Sequence, residues 1–150
     1  VIVHETNERD SAAVSAYFKI TGNIERVGDH AMNICEYSGM LKEKHIHFSD
    51  AARRELQEME SVCLAVLDEL ARETAEPMEL LKNVAALEQR IDDMTGAYRQ
   101  NQLDRMRSGA CSDEACIIFS ELLTDFERIG DHALNIAEAR VSAGAALPPA

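Results

Sequence analysis

Three pairs of acidic residues share one spacing: Glu25-x-x-x-Asp29, Glu88-x-x-x-Asp92 and Glu127-x-x-x-Asp131. On a helix, residues four apart stand about 5–6 Å from each other on one face. Each pair therefore presents two carboxylates side by side. Carboxylates gathered in this way repel unless they take up protons or a cation stands between them. All-oxygen ligation suits Mg, Ca, Mn or Fe better than structural zinc, which favours sulfur and nitrogen. These six residues are the candidate metal ligands. The plain alternative for each is a solvated acidic face, because such pairs are common on exposed helices.

Two of the pairs lie inside an internal repeat. Residues 24–36 read Ile-Glu-Arg-Val-Gly-Asp-His-Ala-Met-Asn-Ile-Cys-Glu, and residues 126–138 read Phe-Glu-Arg-Ile-Gly-Asp-His-Ala-Leu-Asn-Ile-Ala-Glu. Nine of these thirteen positions are identical, at a constant offset of 102 residues. Apolar residues recur at the helical period in both copies: Ile20, Ile24, Val27, Ala31 and Ile34 in the first, Leu122, Ile129, Ala133 and Ile136 in the second. Gly28 and Gly130 fall between the acids. Glycine inside a helix costs roughly 1 kcal/mol relative to alanine, so its presence in both copies implies close approach by a neighbouring helix or a bound species. Arg26 and Arg128 can each pair with the Asp three residues on. His30 and His132 point about 100° away from that Asp and read as interhelical hydrogen-bond partners rather than ligands. Asn33 and Asn135 continue the acidic stripe and read as partners for a neighbouring helix or for a ligating carboxylate.

The elements that must position these groups are helices. A leader (1–7) precedes a helix over 8–41, which holds the first copy and has Gly39 as its left-handed cap. A polar link follows. Ser49 caps a second helix running to about 76, Pro77 opens a third that ends near 108–109, and Ser112, with Asp113 and Glu114 behind it, opens a fourth. The fourth helix holds the second copy and fades after Val141, leaving 142–150 as a flexible tail. No strand pattern occurs. The predicted fold is all-α, an up-down bundle of four long antiparallel helices in a single domain. The offset makes the repeat unit three helices long with the motif on the last. Residues 49–141 form one complete unit, and 8–41 is the orphan last helix of a truncated preceding unit.

Composition narrows the function. The chain of 150 residues is 46% hydrophobic and carries a net charge of −12, with only 15 Lys and Arg scattered along it. Such a surface repels nucleic acid and anionic membrane and favours cations. The longest apolar run, around Cys63, is too short to cross a bilayer. Cys35 and Cys63 lie in apolar helical surroundings and read as buried thiols. None of the four cysteines forms a C-x-x-C pair, and no signal peptide is visible, which points to a reducing cytosol. No Glu is followed by His three residues later, as di-iron bundles require. There is no phosphate-binding glycine loop and no supported Ser-His-Asp pattern. The reading is therefore no enzyme and no organic cofactor.

The repeated string Glu-Arg-Val/Ile-Gly-Asp-His-Ala-x-Asn-Ile, on the third helix of a three-helix unit, resembles the PhoU family. That resemblance implies two three-helix bundles in tandem, acting as cytoplasmic regulators of phosphate uptake. It also implies metal clusters of iron, zinc or another divalent cation, bound through the E-x-x-x-D pairs. The stretch 111–138, with its Asp125-Phe126-Glu127-Arg128 approach, looks most like the cytoplasmic C-terminal domain of sodium/phosphate cotransporter family proteins. A regulatory domain of that kind would have its own transporter membrane domain as partner, at the inner membrane. The alternatives are a carboxylate-ligated metalloenzyme and a structural oligomerisation module. The orphan helix leaves Phe18, Ile20 and Ile34 uncovered, which predicts a homo-oligomer, most simply a two-fold dimer.

Overall fold

A computed structural model describes residues 2–146, with side chains from 7 to 145. It holds four helices: α1 (Ile2–Glu43), α2 (Asp50–Leu70), α3 (Pro77–Arg107) and α4 (Asp113–Ala146). No strand occurs among the described residues. The helices run up and down as an antiparallel all-α bundle.

Each boundary has a local cause. The Ser49 and Ser112 hydroxyl oxygens accept from the Ala52 and Ala115 N–H groups, each at 3.1 Å, satisfying donors that a helix start leaves open. Pro77 takes the first turn of α3 behind Glu76, whose carboxylate accepts from the Glu79 N–H at 3.0 Å. Gly109 ends α3 at φ 72°, and the Ala110 N–H reaches back to the Arg105 carbonyl at 2.8 Å.

Four expectations need correction. The cap of α1 is His45, at φ 54°, with the Ile46 N–H bonded to the Leu41 carbonyl at 2.9 Å; Gly39 stays inside the helix. Helix α1 also starts at Ile2 and not near residue 8, since no Gly or Pro interrupts that stretch. Helix α2 stops at Leu70, six residues early. Pro77 forces Glu76 into extended backbone, and 71–75 turn back with Ala75 buried. Residues 142–146, expected in a flexible tail, continue α4. Ala143 is buried there, and the Gly144 position faces the Pro77 ring. The rest of that tail, 147–150, and Val1 lie outside the described residues.

Helices α2, α3 and α4 enclose one core. Met59, Val66, Leu80, Val84, Ile91, Phe119 and Leu123 are fully buried in it. Helix α4 touches all three other helices, and α1 touches α4 alone. The α1–α4 contact is of a different kind. Among described α1 residues only Ala13, Ala16 and Asn23 are buried, while α4 buries Leu122, Ile129 and Ile136 on the same stripe as Asp125 and His132, so the seam mixes small, polar and apolar groups.

That seam has a local two-fold symmetry which the 102-residue offset exposes. His30 Nδ1 lies 2.7 Å from Asp125 Oδ1, and His132 Nδ1 lies 2.9 Å from Asn23 Oδ1. Asn33 donates to Asp125 at 3.1 Å, and Asn135 to Asn23 at 3.2 Å. His30 and His132 stack at the centre, centroids 5.4 Å apart and planes at 20°. Asn23 and Asp125 are themselves 102 residues apart. The residue just before each copy thus receives a His and an Asn from the other copy, and the crossing is antiparallel. The sequence reading of both histidines and both asparagines as interhelical partners agrees with this geometry.

The cysteines depart from expectation. Cys63 is buried, its Sγ 3.6 Å from the Phe126 carbonyl, and burial pushes its thiol up to about 12. Cys35 is exposed, because nothing among the described residues covers its side of α1. Cys111, in the α3–α4 turn, and Cys116, in the first turn of α4, are joined as a disulfide, a pairing that motif spacing did not suggest.

The two motif glycines have different surroundings. A Cβ on Gly130 would lie 3.1 Å from Ile91 Cδ1, whereas a Cβ on Gly28 would meet nothing within 4 Å. Ile91 is fully buried and cannot swing aside. Gly28→Ala should therefore stabilise the domain by about 0.5–1 kcal/mol through helix propensity. Gly130→Ala should destabilise it, since overpacking costs about 1–3 kcal/mol. Urea unfolding of both variants at low micromolar concentration checks the opposite signs.

Candidate metal centre

The Ile91–Gly130 contact brings α3 and α4 close at the positions next to Asp92 and Asp131. Glu88 stands one turn before Asp92 on α3. Glu88, Asp92 and Asp131 offer carboxylate oxygens that all lie within 4.8 Å of one another, and each residue is half-buried. The electrostatics follow from that crowding. Burial and the charges of Asp92 and Asp131 push the Glu88 carboxyl up to about 6. Burial and then Asp92 raise Asp131 as well, against the pull of Arg128 at 3.6 Å. Asp92 Oδ1 is buried and has no hydrogen-bond partner among the described residues. A buried carboxylate oxygen without a partner is costly, and a hard cation is the species that three oxygen donors at this separation would satisfy.

Of the six candidate ligands, the structure gathers these three. Glu127 lies one turn before Asp131, near enough for its charge to add to the rise of Glu88. Its carboxylate is drawn aside to Arg99 Nη2, at 3.4 Å, which also donates to Thr124 Oγ1 at 2.8 Å. Glu25 and Asp29 are exposed on α1, and no second acidic pair stands against them among the described residues. Their place on α1 matches that of Glu127 and Asp131 on α4, but among the described residues no equivalent of α3 faces them.

The arginines split in the same way. Arg128 pairs with Asp131, three residues on, and no ion pair joins Arg26 to Asp29 among the described residues. The histidines are turned to the α1–α4 seam. His132 is held below its ordinary value by burial first and then by the His30 ring, which leaves it neutral as a hydrogen-bond partner. Sequence reasoning assigned no structural role to Arg99, Asn23 or Asp125. For the last two a signal existed: they occupy equivalent positions just upstream of the repeated block.

Comparison with known proteins identifies the family. The family model for the PhoU domain matches residues 2–38 and 56–139. The chain belongs to the PhoU family. It is 31% identical over 121 residues to the phosphate-specific transport system accessory protein PhoU homolog 1 of Thermotoga maritima, an alignment covering 80% of this chain and 51% of that protein. It is 30% identical over 130 residues to the PhoU homolog of Xylella fastidiosa strain Temecula1, covering 87% of this chain and 53% of the relative. The chain spans about half the length of the curated PhoU relatives it matches. No solved structure matches it. No described helix is long and apolar enough to cross a membrane.

The acid crowding in this PhoU domain has a consequence for stability. The folded Glu88 carboxyl titrates near 6, above its ordinary 4.5. A raised carboxyl contributes stability that is complete below the unfolded value and lost as pH rises through the folded one. In protein stripped of divalent cations, melting temperature should fall as pH climbs from 4.5 past 6. Glu88→Gln should lack that part of the fall and melt higher than wild type at neutral pH. Thermal melts of both proteins in chelator, across this range, check the crossover.

Proposed function

We propose that this chain is a non-enzymatic PhoU-type regulatory domain of phosphate transport, cytoplasmic in location. In this reading it binds a divalent cation through Glu88, Asp92 and Asp131, with Glu127 joining when Arg99 releases it. The observation that supports metal binding most is the buried, unpartnered Asp92 oxygen within the cluster. The all-oxygen donor set favours a hard cation, iron among them, over zinc. When bound, the cation neutralises the three charges and ties α3 to α4 at mid-bundle. The matched relatives are named as accessory proteins of phosphate-specific transport, which supports a regulatory role. The membrane domain of a phosphate transporter, in the form of a sodium/phosphate cotransporter, is the partner this reading assigns.

Metal analysis of protein purified without added metal is the direct test. Wild type should retain a divalent cation, and Asp92→Asn and Asp131→Asn should each weaken retention by at least about tenfold. Equal metal content in all three proteins would remove the site. Hydrolytic or redox turnover by the loaded wild type would replace the regulator with a helical-bundle metalloenzyme.

Self-association belongs to the same reading. Helix α1 exposes Val14, Tyr17, Phe18 and Ile24, with Phe18 77% and Ile24 57% accessible. The α4 residues equivalent to Tyr17 and Ile24 are Phe119 and Phe126, both buried. Ile20 and Ile34 are half-buried against the bundle, so the uncovered face is centred on Phe18 and Ile24 and less on those two. A second copy of the chain, joined about a two-fold axis, is the occupant assigned to this face. Light scattering should give a dimer at high micromolar concentration, and Ile24→Asp should dissociate it. A monomeric wild type, or a dimer indifferent to that change, would move the contact elsewhere.

A further inference from the structure

The Cys111–Cys116 pair stands in a turn that holds its shape without it. Its Cα atoms are 6.7 Å apart. Gly109 supplies the left-handed residue, Ser112 caps α4, and the Cys116 N–H bonds to the Ser112 carbonyl at 3.0 Å. The pair is separated by only five positions, and the smallest loops contribute least to stability when closed. Both residues are partly open to solvent. Cys116 occupies the first turn of α4, where the positive end of the helix favours a thiolate. Asp113 and Glu114 in that turn oppose the effect, with Glu114 engaged by Lys44 at 2.7 Å.

A polar chain leads inward from the sulfurs. Gln102, 5% exposed, donates from Nε2 to Cys111 Sγ at 3.6 Å and to Cys116 Sγ at 3.5 Å. Its Oε1 accepts from Arg105 Nε at 2.6 Å. Arg105 in turn forks onto Glu55 of α2 at 3.2 and 2.6 Å, and both of those side chains are largely covered. The cysteine pair therefore ends a buried relay from the start of α4, through α3, to α2. Gln102, the first member of that relay, lies ten residues along α3 from Asp92, about 15 Å at the helical rise.

We propose that Cys111 and Cys116 form a reversible thiol–disulfide site that fastens the α3–α4 turn when a small-molecule disulfide, such as oxidised glutathione, is present. One cysteine thiolate attacks the small disulfide, forms a mixed disulfide and expels one small thiol. The second cysteine then attacks the mixed disulfide and expels the other. The Sγ–Sγ bond forms, the small molecule's S–S bond breaks, and two electrons and two protons pass from the protein to the two small thiols. Cys35 is exposed, and Cys63, which lines the same groove, is buried and stays inert, so Cys35 stops at the mixed disulfide.

The test equilibrates the full chain with glutathione at a series of oxidised-to-reduced ratios, quenches with acid, alkylates and weighs the peptides. At oxidising ratios Cys111 and Cys116 should escape alkylation, and their peptide should be lighter by about 2 Da, the two hydrogens lost. Excess reduced glutathione should restore both thiols. Amide exchange over residues 109–116 should slow by about threefold or more on oxidation, with no matching change around Asp92. Cys111→Ser should leave Cys116 as a stable glutathione adduct, which reports the first step even if the turn loosens. Three results would each overturn the proposal: both cysteines freely alkylated under fully oxidised glutathione, a bond that excess reduced glutathione cannot open, or pairing of Cys116 with Cys35.

Discussion

The contact of Ile91 with the bare backbone at Gly130 sets the distance between α3 and α4, and much else follows from that distance. A side chain at residue 130 would meet Ile91 Cδ1 at 3.1 Å. Without one, the helices close until Asp92 and Asp131, the next residues along each, come within reach. The apolar core then holds the acids together against their repulsion. Each fully buried aliphatic or aromatic side chain contributes about 1.5–3 kcal/mol, and seven of the largest have essentially no exposure. Half-buried carboxylates repel less than that total, because solvent screens them.

Helix α4 meets its neighbours through two unlike surfaces. Toward α2 and α3 it presents Phe119, Leu123, Phe126, Ala133 and Ala137, all part of the main core. Toward α1 it presents Asp125, His132 and Asn135, which are satisfied by hydrogen bonds. The first surface is held by burial on both sides; the second sets Leu122, Ile129 and Ile136 of α4, with the matched polar groups, against an α1 whose described residues bury only Ala13, Ala16 and Asn23. With so little of α1 buried, the α1–α4 seam is the weaker junction. Local opening should begin there and leave the three-helix core intact.

The all-α class and the start of every helix after the first were legible in the sequence because caps and apolar periodicity are local signals. Ser49, Pro77 and Ser112 mark their helices without help from the rest of the fold. Three helix ends, those of α1, α2 and α4, were not legible. Gly39 looked like a cap, yet α1 runs past it, and His45 takes the left-handed role despite its Cβ. The candidate site was half legible. Equal spacing made Glu25/Asp29, Glu88/Asp92 and Glu127/Asp131 look alike, and only the packing of α3 on α4 separates them. Arg99 drawing Glu127 aside and the close meeting of Cys111 and Cys116 depend on side-chain reach in three dimensions, which spacing does not encode. The histidines were readable because their direction on the helix follows from one step of rotation.

The likeness between α1 and α4 bears on how the chain folds during synthesis. Chains emerge N-terminus first, so α2 and α3 are available while α4 is still being made. At that stage α1 already bears its copy of the motif, and it is a ready decoy for the place that α4 takes. What tells the copies apart is their size at equivalent positions. Where α4 has Phe119, Leu123 and Phe126, all buried, α1 has Tyr17, Thr21 and Ile24. An exchanged helix would set two hydroxyls, of Tyr17 and Thr21, and a smaller aliphatic, Ile24, into space shaped for two phenylalanines and a leucine. The resulting voids and unpaired polar groups make that arrangement yield once α4 arrives. The differences between the repeats therefore act as a proofreading device for helix order.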